Sequence, residues 1–372
     1  MLTISGFRHS QLTKPKVQVF LTKRPKYLTS FSIVILNWNG LTHLQECLPS
    51  VYDTQYEFME VILVDNGSSD NSLKWVRQHF PDITVVELGS NYFFSGGNNR
   101  AIDHCKNEYL IFLNNDVKVE PMWLDALNTC ILSKPESQLF QPKILSAKKP
   151  THFEYAGAAG GFIDRYGYPY CRGRIFDIVE EDTGQYDSDI TLDWASGAAM
   201  VINRNLFQEL HGFDEDFEMH MEEIDLCWRA RRKGYTISFC HSAKVYHIGG
   251  GSLAQGSYKK IWYNFRNNWY ILIKNLPKHR LFQTLLIRYL LDIIALKRAI
   301  FTGKFVEARA IYTAHLSLVK EIPKLFKKRS LNTITTSEMT RGTTYLSNVY
   351  KRPFLIWDFF IKKKKFFSEI QK

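Results

Sequence analysis

Four apolar runs of strand length, each closed by a polar or glycine-bearing turn, constrain this chain more than any other feature of it. They are Ile33–Leu36 in "FSIVILNWNG", Val61–Val64 in "EVILVDNGSSDNS", the short "ITVVEL", and "EYLIFLNND". None alternates apolar with polar, so each expects burial on both faces. Helical patterns separate them: residues 41–51, 72–80, a helix opened by "GGNNRAIDHC", and 121–133, which precedes the strand-like "LFQPKIL". Strands alternating with helices in this way predict an α/β fold, a mostly parallel central sheet with helices on both faces. Ligands bind such sheets outside the carboxyl ends of the strands. Asn37 and Asn39 follow the first strand, Asp65 and Asn66 the second, and Asn114, Asn115 and Asp116 the fourth. Any one cluster is explained by turn formation alone. Three in register point to a single polar crevice.

Charge divides the 372 residues unevenly. Residues 1–30 hold 6 Lys/Arg and no acid. Residues 31–257 hold 18 against 31 Asp/Glu, and residues 258–372 hold 24 against 6. We therefore expect a basic flexible arm (1–30), an acidic catalytic body (31–257), an amphipathic helical region (258–328), and a linker with a basic and aromatic tail (329–372). In "LFQTLLIRYLLDIIALKRAI" (281–300), Thr284, Arg288, Asp292 and Arg298 form a narrow polar stripe on an otherwise apolar helix. A helix lying in an anionic membrane surface fits this pattern. A lid on the catalytic body or a dimer interface fits it too. The tail "FLIWDFFIKKKKFF" reads either as a further membrane-surface element or as a solvated extension. The basic residues sit among long aliphatic runs rather than on a nucleic-acid-binding module, so nucleic acid is not an expected partner. No apolar run is long enough to span a bilayer, and residues 1–30 lack the apolar stretch of a signal peptide, so neither a span nor a leader is expected. Cys47, Cys105, Cys130, Cys171, Cys227 and Cys240 lack CxxC spacing, and buried reduced thiols of a cytosolic protein are expected.

Beyond the alternating region, residues 150–190 are rich in Gly, Tyr and acid and read as a long excursion over the sheet. "LDWASGAAMVINR" returns to a strand around Ala198–Ile202, and a helix is expected over 221–233. That helix opens with "MHMEEIDLCWRA", where Glu222, Glu223 and Asp225 crowd four positions. A solvated helix face and an active site both account for them.

Seven segments occur in order: "SIVILNWNG", "LVDNGSSD", "GGNN", "FLNND", "WASGAAM", "GFDEDFEMHMEEIDLCWRA" and "VYHIGGGS". Together they resemble the family 2 glycosyltransferases of GT-A fold, and within them the bacterial rhamnosyltransferase-like branch. The resemblance covers roughly residues 31–270. It implies an inverting, metal-dependent transfer of a sugar from a nucleotide-diphosphate donor, dTDP-rhamnose or a UDP-sugar, to a hydroxyl of a glycan or lipid-linked acceptor in cell-surface polysaccharide synthesis. It also implies a cytoplasmic enzyme, peripheral on the inner face of the plasma membrane, with oligomers open.

Inversion needs a base on one side of the sugar carbon and positive charge for the leaving diphosphate on the other. The resemblance makes Asp116 the last acid of a DxD-type motif whose first two places here are Asn114 and Asn115. His247 completes a site for Mg2+ or Mn2+. With one carboxylate offered, weak metal affinity without donor is expected. Asp65 matches the acid that takes the nucleotide base, with Asn37, Asn39 and Asn66 lining the same pocket. Glu223 matches the base, one methylene longer than the usual Asp, and the helix dipole is expected to keep it ionised. Asp225 is expected to pair with Arg229, and Glu222 to share its face. Trp194 and Gly197 match a segment on the acceptor side, where the Trp either stacks on a sugar or lies in the core. Arg266 either neutralises diphosphate or makes a salt bridge. Phe93 stands where the family often has glycine. These departures motivate an alternative, a nucleotide-sugar-binding or scaffold protein of the same fold that has lost turnover.

Overall fold

The computed structural model describes residues 27–249, 256–331 and 353–370. Most of the expected basic arm, the end of "IGGGS" and most of the linker therefore lie outside the described residues.

The expected alternation forms as β1 (Phe31–Asn37), α1 (Leu41–Tyr52), β2 (Met59–Asp65), α2 (Ser72–His79), β3 (Thr84–Glu87), α3 (Phe93–Arg100) and β4 (Tyr109–Asn114). Next come β5 (Val117–Val119), α4 (Trp123–Ser133) and β6 (Ser137–Ser146). Phe31, Ile33 and Ile35 enter one apolar core while Val34 enters the other, on the opposite face of the sheet. That two-sided burial is why these strands do not alternate.

The central sheet has eight strands in the order β3-β2-β1-β4-β11-β6-β12-β5, with β11 at Ala199–Asn203 and β12 at Thr236–His247. The first four are parallel. Among the rest, β6 and β12 also pair in parallel, while β11 runs antiparallel to both β4 and β6, and β5 antiparallel to β12. The sheet is mixed because β11 enters after the excursion rather than through a crossover helix, and a crossover is what keeps neighbours parallel. The excursion itself carries a second sheet of four short strands, β7 (Gly161–Ile163), β8 (Pro169–Cys171), β9 (Arg174–Ile175) and β10 (Ile178–Val179).

After β11 come α5 (Arg204–Glu209) and α6 (Glu222–Arg232). Past β12 come α7 (Tyr258–Asn275), α8 (Lys278–Phe301) and α9 (Phe305–Leu331), and near the end α10 (Phe367–Ile370). None of the helices, among the described residues, is long and apolar enough to cross a membrane. The tail is not a solvated extension. Leu355, Phe367 and Ile370 are buried, and Phe367 packs on Phe162, Tyr170 and Tyr186 of the excursion. Its aromatics find apolar partners on the second sheet, which outweighs the Lys run beside them.

The cysteines depart in one respect from expectation. Cys130 on α4 and Cys240 on β12 form a disulfide, while Cys47, Cys105, Cys171 and Cys227 are buried and free. The pair is 110 residues apart in sequence and meets only because α4 packs on β12.

Phe112 in β4 lies between Phe207 and Phe213, with ring centroids 5.0 Å away from each. Phe112→Ala should lower stability by about 3–5 kcal/mol. A urea titration in which the midpoint stayed unchanged would contradict this packing.

Candidate active site

Strand register assembles the first part of the site. Asn37 stands opposite Asp65, and Leu36 opposite Asn114, so three polar strand ends lie side by side. Asn115 donates from Nδ2 to Asn37 Oδ1 at 3.0 Å, while Asn37 Nδ2 donates to Ser68 and Ser72. Gly40 permits this link: a Cβ there would lie 2.3 Å from Asn115 Nδ2 and 2.4 Å from Asn37 Oδ1. Asn39, with a φ of 51°, accepts from the backbone of Ser69 and Asp70. Asn66 accepts from Tyr92 N–H and donates to Asn91 and to the Phe93 carbonyl. Asn37, Asn39, Asn66 and Asn115 thus spend their polar atoms on holding the loops. Asp65 differs. It is buried, its Oδ2 accepts from Ser68 N–H at 3.0 Å, and its Oδ1 is buried with no hydrogen-bond partner. A buried oxygen without a partner costs on the order of 1–3 kcal/mol until a donor reaches it.

The second part is built by β5 against β12. Their pairing sets His247 opposite Val117, and the Ile248 N–H donates to the Asp116 carbonyl. His247 Nε2 then lies 3.1 Å from Asp116 Oδ1, and Nδ1 lies 3.0 Å from Glu154 Oε2. Burial opposes charge on the ring, yet the hydrogen bonds with Asp116 and Glu154 push its pKa up to about 10. Burial likewise works to raise both carboxyls, and His247 outweighs it and holds each below its usual range. Asn114 Nδ2 is 3.4 Å from His247 Nε2. Among the described residues no group of three or more His, Cys, Asp or Glu is arranged around one ion. Glu154 faces the other ring nitrogen, so it orients the imidazole rather than joining a ligand set. One carboxylate and one imidazole that converge, with a carboxylate behind the ring, fit a divalent cation that displaces the Nε2 proton and takes its remaining ligands from elsewhere. Glu154 was not expected as a site residue; it lies in the excursion, where no periodicity marks it.

The third part is the acidic helix start. Glu218, His220 and Met221 have φ of 60°, 66° and 71°, left-handed values for residues with side chains. Each costs of order 1–3 kcal/mol, and such strain gathers at functional sites. The Ser95 N–H donates to the Glu218 carbonyl and Asn267 Nδ2 donates to the Met219 and His220 carbonyls, bracing the bend. Phe93 has a φ of 56°, a left-handed value that glycine adopts without strain.

Glu222 is buried and Glu223 half-buried, and each has an Oε2 that is buried with no partner. Burial, not the helix dipole, decides their titration. It lifts Glu223 to about 7, and burial followed by the charge of Glu223 raises Glu222 well above the ordinary range. Burial of Glu223 thus acts against the helix dipole that was expected to favour its ionised form. Gly197 lies beside this pair: a Cβ there would sit 3.9 Å from the Glu223 Cβ and 3.2 Å from the Phe94 ring. The next residue, Ala198, accepts from the Asn114 N–H. The start of β11 thereby connects the strand-end crevice to the acidic helix.

Three expected site residues are committed elsewhere. Asp225 pairs with Arg229 at 2.8 Å as expected, and it also takes Lys274 at 2.9 Å and Asn275 at 2.8 Å. It is an anchor between α6 and α7. Burial works to raise its pKa, but Lys274 and Arg229 hold it low. Arg266 is buried among Trp262, Tyr263 and Tyr270 and donates to the Asp216 and Phe217 carbonyls, so its guanidinium is not free for a diphosphate. Trp194 is a core residue. It packs against Gly161, donates from Nε1 to the Phe162 carbonyl at 2.9 Å, and offers no face to a sugar.

The Glu223 shift makes a prediction about stability. Its folded pKa lies above the unfolded value of 4.5, so its contribution is fully present below pH 4.5 and is lost as pH rises toward 7. Glu223→Gln should melt higher than the parent at pH 8, with the gap closing toward pH 4.5. A gap that is the same at both pH values would refute the buried-acid assignment.

Comparison with known proteins follows this geometry. Residues 32–139 match the model of glycosyl transferase family 2. The chain is 27% identical over 225 residues to a low-salt glycan biosynthesis hexosyltransferase of Haloferax volcanii, covering 59% of this chain and 67% of that one. It is 25% identical over 233 residues to an N-acetylglucosaminyl-diphospho-decaprenol L-rhamnosyltransferase of Mycobacterium tuberculosis, covering 58% and 75%. Among solved structures it is similar to the Pyrobaculum calidifontis mannosyltransferase PcManGT in complex with GDP-Man and Mn2+, with a TM-score of 0.50, 15% identity, and coverage of 89% and 91%. It is also similar to S. aureus TarS in complex with UDP-GlcNAc, with a TM-score of 0.51, 14% identity, and coverage of 87% and 90%. The curled mixed sheet is that of the GT-A glycosyltransferase structures.

Proposed function

We propose that this chain, a family 2 glycosyltransferase of the rhamnosyltransferase-like branch, moves a sugar with inversion from a nucleotide-diphosphate donor to a hydroxyl of a glycan or lipid-linked acceptor. The observation that carries the reading is the pair of unpartnered buried carboxylate oxygens, Asp65 Oδ1 at the end of β2 and Glu223 Oε2 at the start of α6.

Asp65 would accept the ring N–H of a pyrimidine base. That supports a thymidine or uridine donor, with dTDP-rhamnose first and UDP-sugars next. Relatives named as rhamnosyltransferase and hexosyltransferase agree with this order but are themselves distinct proteins. Asp116 and His247, with Asn114 beside them, would hold a divalent cation, as expected for an enzyme whose structural neighbour binds Mn2+. When bound there, the cation supplies positive charge for the leaving diphosphate. Glu154 fixes the imidazole so that Nε2 faces Asp116.

Glu223 is the base. With a pKa near 7 it is ionised in about half of the molecules at neutral pH, and its basicity exceeds that of a solvated carboxylate. It would take the proton of the acceptor hydroxyl as the hydroxyl oxygen bonds the anomeric carbon and the diphosphate departs. Glu222, held neutral beside it, keeps a second negative charge out of the pocket.

Glu223→Gln should reduce transfer by about 100-fold or more, while calorimetry shows nucleotide binding unchanged. Undiminished turnover would remove Glu223 as the base. Asp65→Ala should weaken UDP or dTDP binding by roughly 10–100-fold and leave GDP little affected. Equal losses for all three nucleotides would argue against recognition of a pyrimidine ring. Donor binding with neither transfer nor hydrolysis in a metal titration would favour the binding-protein alternative.

A further inference from the structure

α8 is mounted inside out. Thr284, Arg288 and Asp292, four residues apart, are buried. The Arg288 guanidinium lies 3.5 Å from the centre of the Tyr168 ring, and Asp292 accepts from Trp269 Nε1 at 2.8 Å and pairs with His315 at 3.2 Å. On the opposite side, at about 100° per residue, Phe282, Leu286, Leu290 and Ile294 run at the same spacing. Phe282 is 80% exposed, Ile294 62% and Phe301 87%. A helix packed on a protein in water presents the reverse arrangement. α9 adds to this: it buries Ala310, Ile311, Ala314 and Leu318 and leaves Phe305, Tyr312, Leu316 and Val319 exposed.

Charge identifies what covers these residues. Among the described residues from 258 to 329, every exposed charged side chain is Lys or Arg. The acids there, Asp292, Glu307 and Glu321, are buried or half-buried. Lys278, Lys297, Lys304 and Lys320 stand exposed along the two helices. A second copy of this chain on the same face would set these cations against their own kind. A nucleic acid would match their sign and leave the aliphatic and aromatic stripe in water.

We infer that α8 and α9 dock on an anionic lipid surface, with the exposed apolar stripe at the acyl boundary and the lysines at the headgroup phosphates. The buried Arg288 and Asp292, with the half-buried His315, fix the rotation of α8 and thereby hold the stripe outward. Neither of these two helices is long and apolar enough to cross a membrane, so the pair lies along the surface. The inference does not depend on the identity of the donor or on transfer.

The test uses the full chain and vesicles of equal parts phosphatidylglycerol and phosphatidylcholine, compared with phosphatidylcholine alone. The protein should sediment with the anionic vesicles about tenfold more than with the neutral ones, less so at high salt. The variant Phe282→Ser, Leu290→Ser, Ile294→Ser, Phe301→Ser alters exposed positions only, so it should keep its far-UV spectrum and remain in the supernatant. Lys278→Glu, Lys297→Glu, Lys304→Glu, Lys320→Glu provides a second variant and should lose the preference for anionic vesicles. Failure of the parent to sediment, or undiminished sedimentation of both variants, would overturn the inference. Self-association of the parent that the serine variant abolishes, without vesicle binding, would assign the face to a second copy and overturn it as well.

Discussion

Burial of β1, β2 and β4 on both faces is the constraint from which the rest of the molecule follows. Strands without a solvent face have nowhere to carry polar side chains except their ends. Parallel register then aligns those ends, so Asn37, Asp65 and Asn114 meet at one edge of the sheet. The core thus builds the crevice and orients it at once. The asparagines knit the strand-end loops together, and Asp65 Oδ1 is left as the acceptor with nothing to accept.

The acidic helix rests on a different physical balance. A helix start favours ionised carboxylates by about 0.3–1 kcal/mol at an exposed site. Burial of a carboxylate without a partner costs more than that, and here burial prevails for Glu222 and Glu223. Asp225, three and two positions further on, shows the contrast. It is more deeply buried than either, but Lys274, Arg229 and Asn275 satisfy it and it stays ionised. One turn of helix therefore holds a structural anion and two poised acids, separated by whether a cation reaches them. The left-handed bend at Glu218, His220 and Met221 is consistent with strain kept at a site because the surrounding bonds hold it.

Much of this organisation was legible in the residues. The strands β1 to β4, β6 and β11, most helix limits, the polar strand ends and the Asp225–Arg229 pair followed from period and spacing. What escaped depended on distant partners. β11 and β12 join a mixed sheet through contacts that no local pattern reports. Cys130 and Cys240 meet across 110 residues. Glu154 reaches His247 from an excursion without periodicity, and the two readings of Arg266 and of Trp194 stayed open because the aromatic rings and carbonyls that enclose them lie elsewhere in the chain. For α8 the polar stripe was visible, but its direction was not. Only the positions of Tyr168, Trp269 and His315 show that the stripe points inward.

The central claim is that burial turns Glu223 into a base poised near neutrality. The pH dependence of kcat/KM for sugar transfer tests it most directly. The account predicts a rate that rises about tenfold per pH unit up to a midpoint near 7 and levels above it. A profile that is flat through this range, or one whose midpoint lies at the ordinary carboxylate value of 4.5, would contradict it.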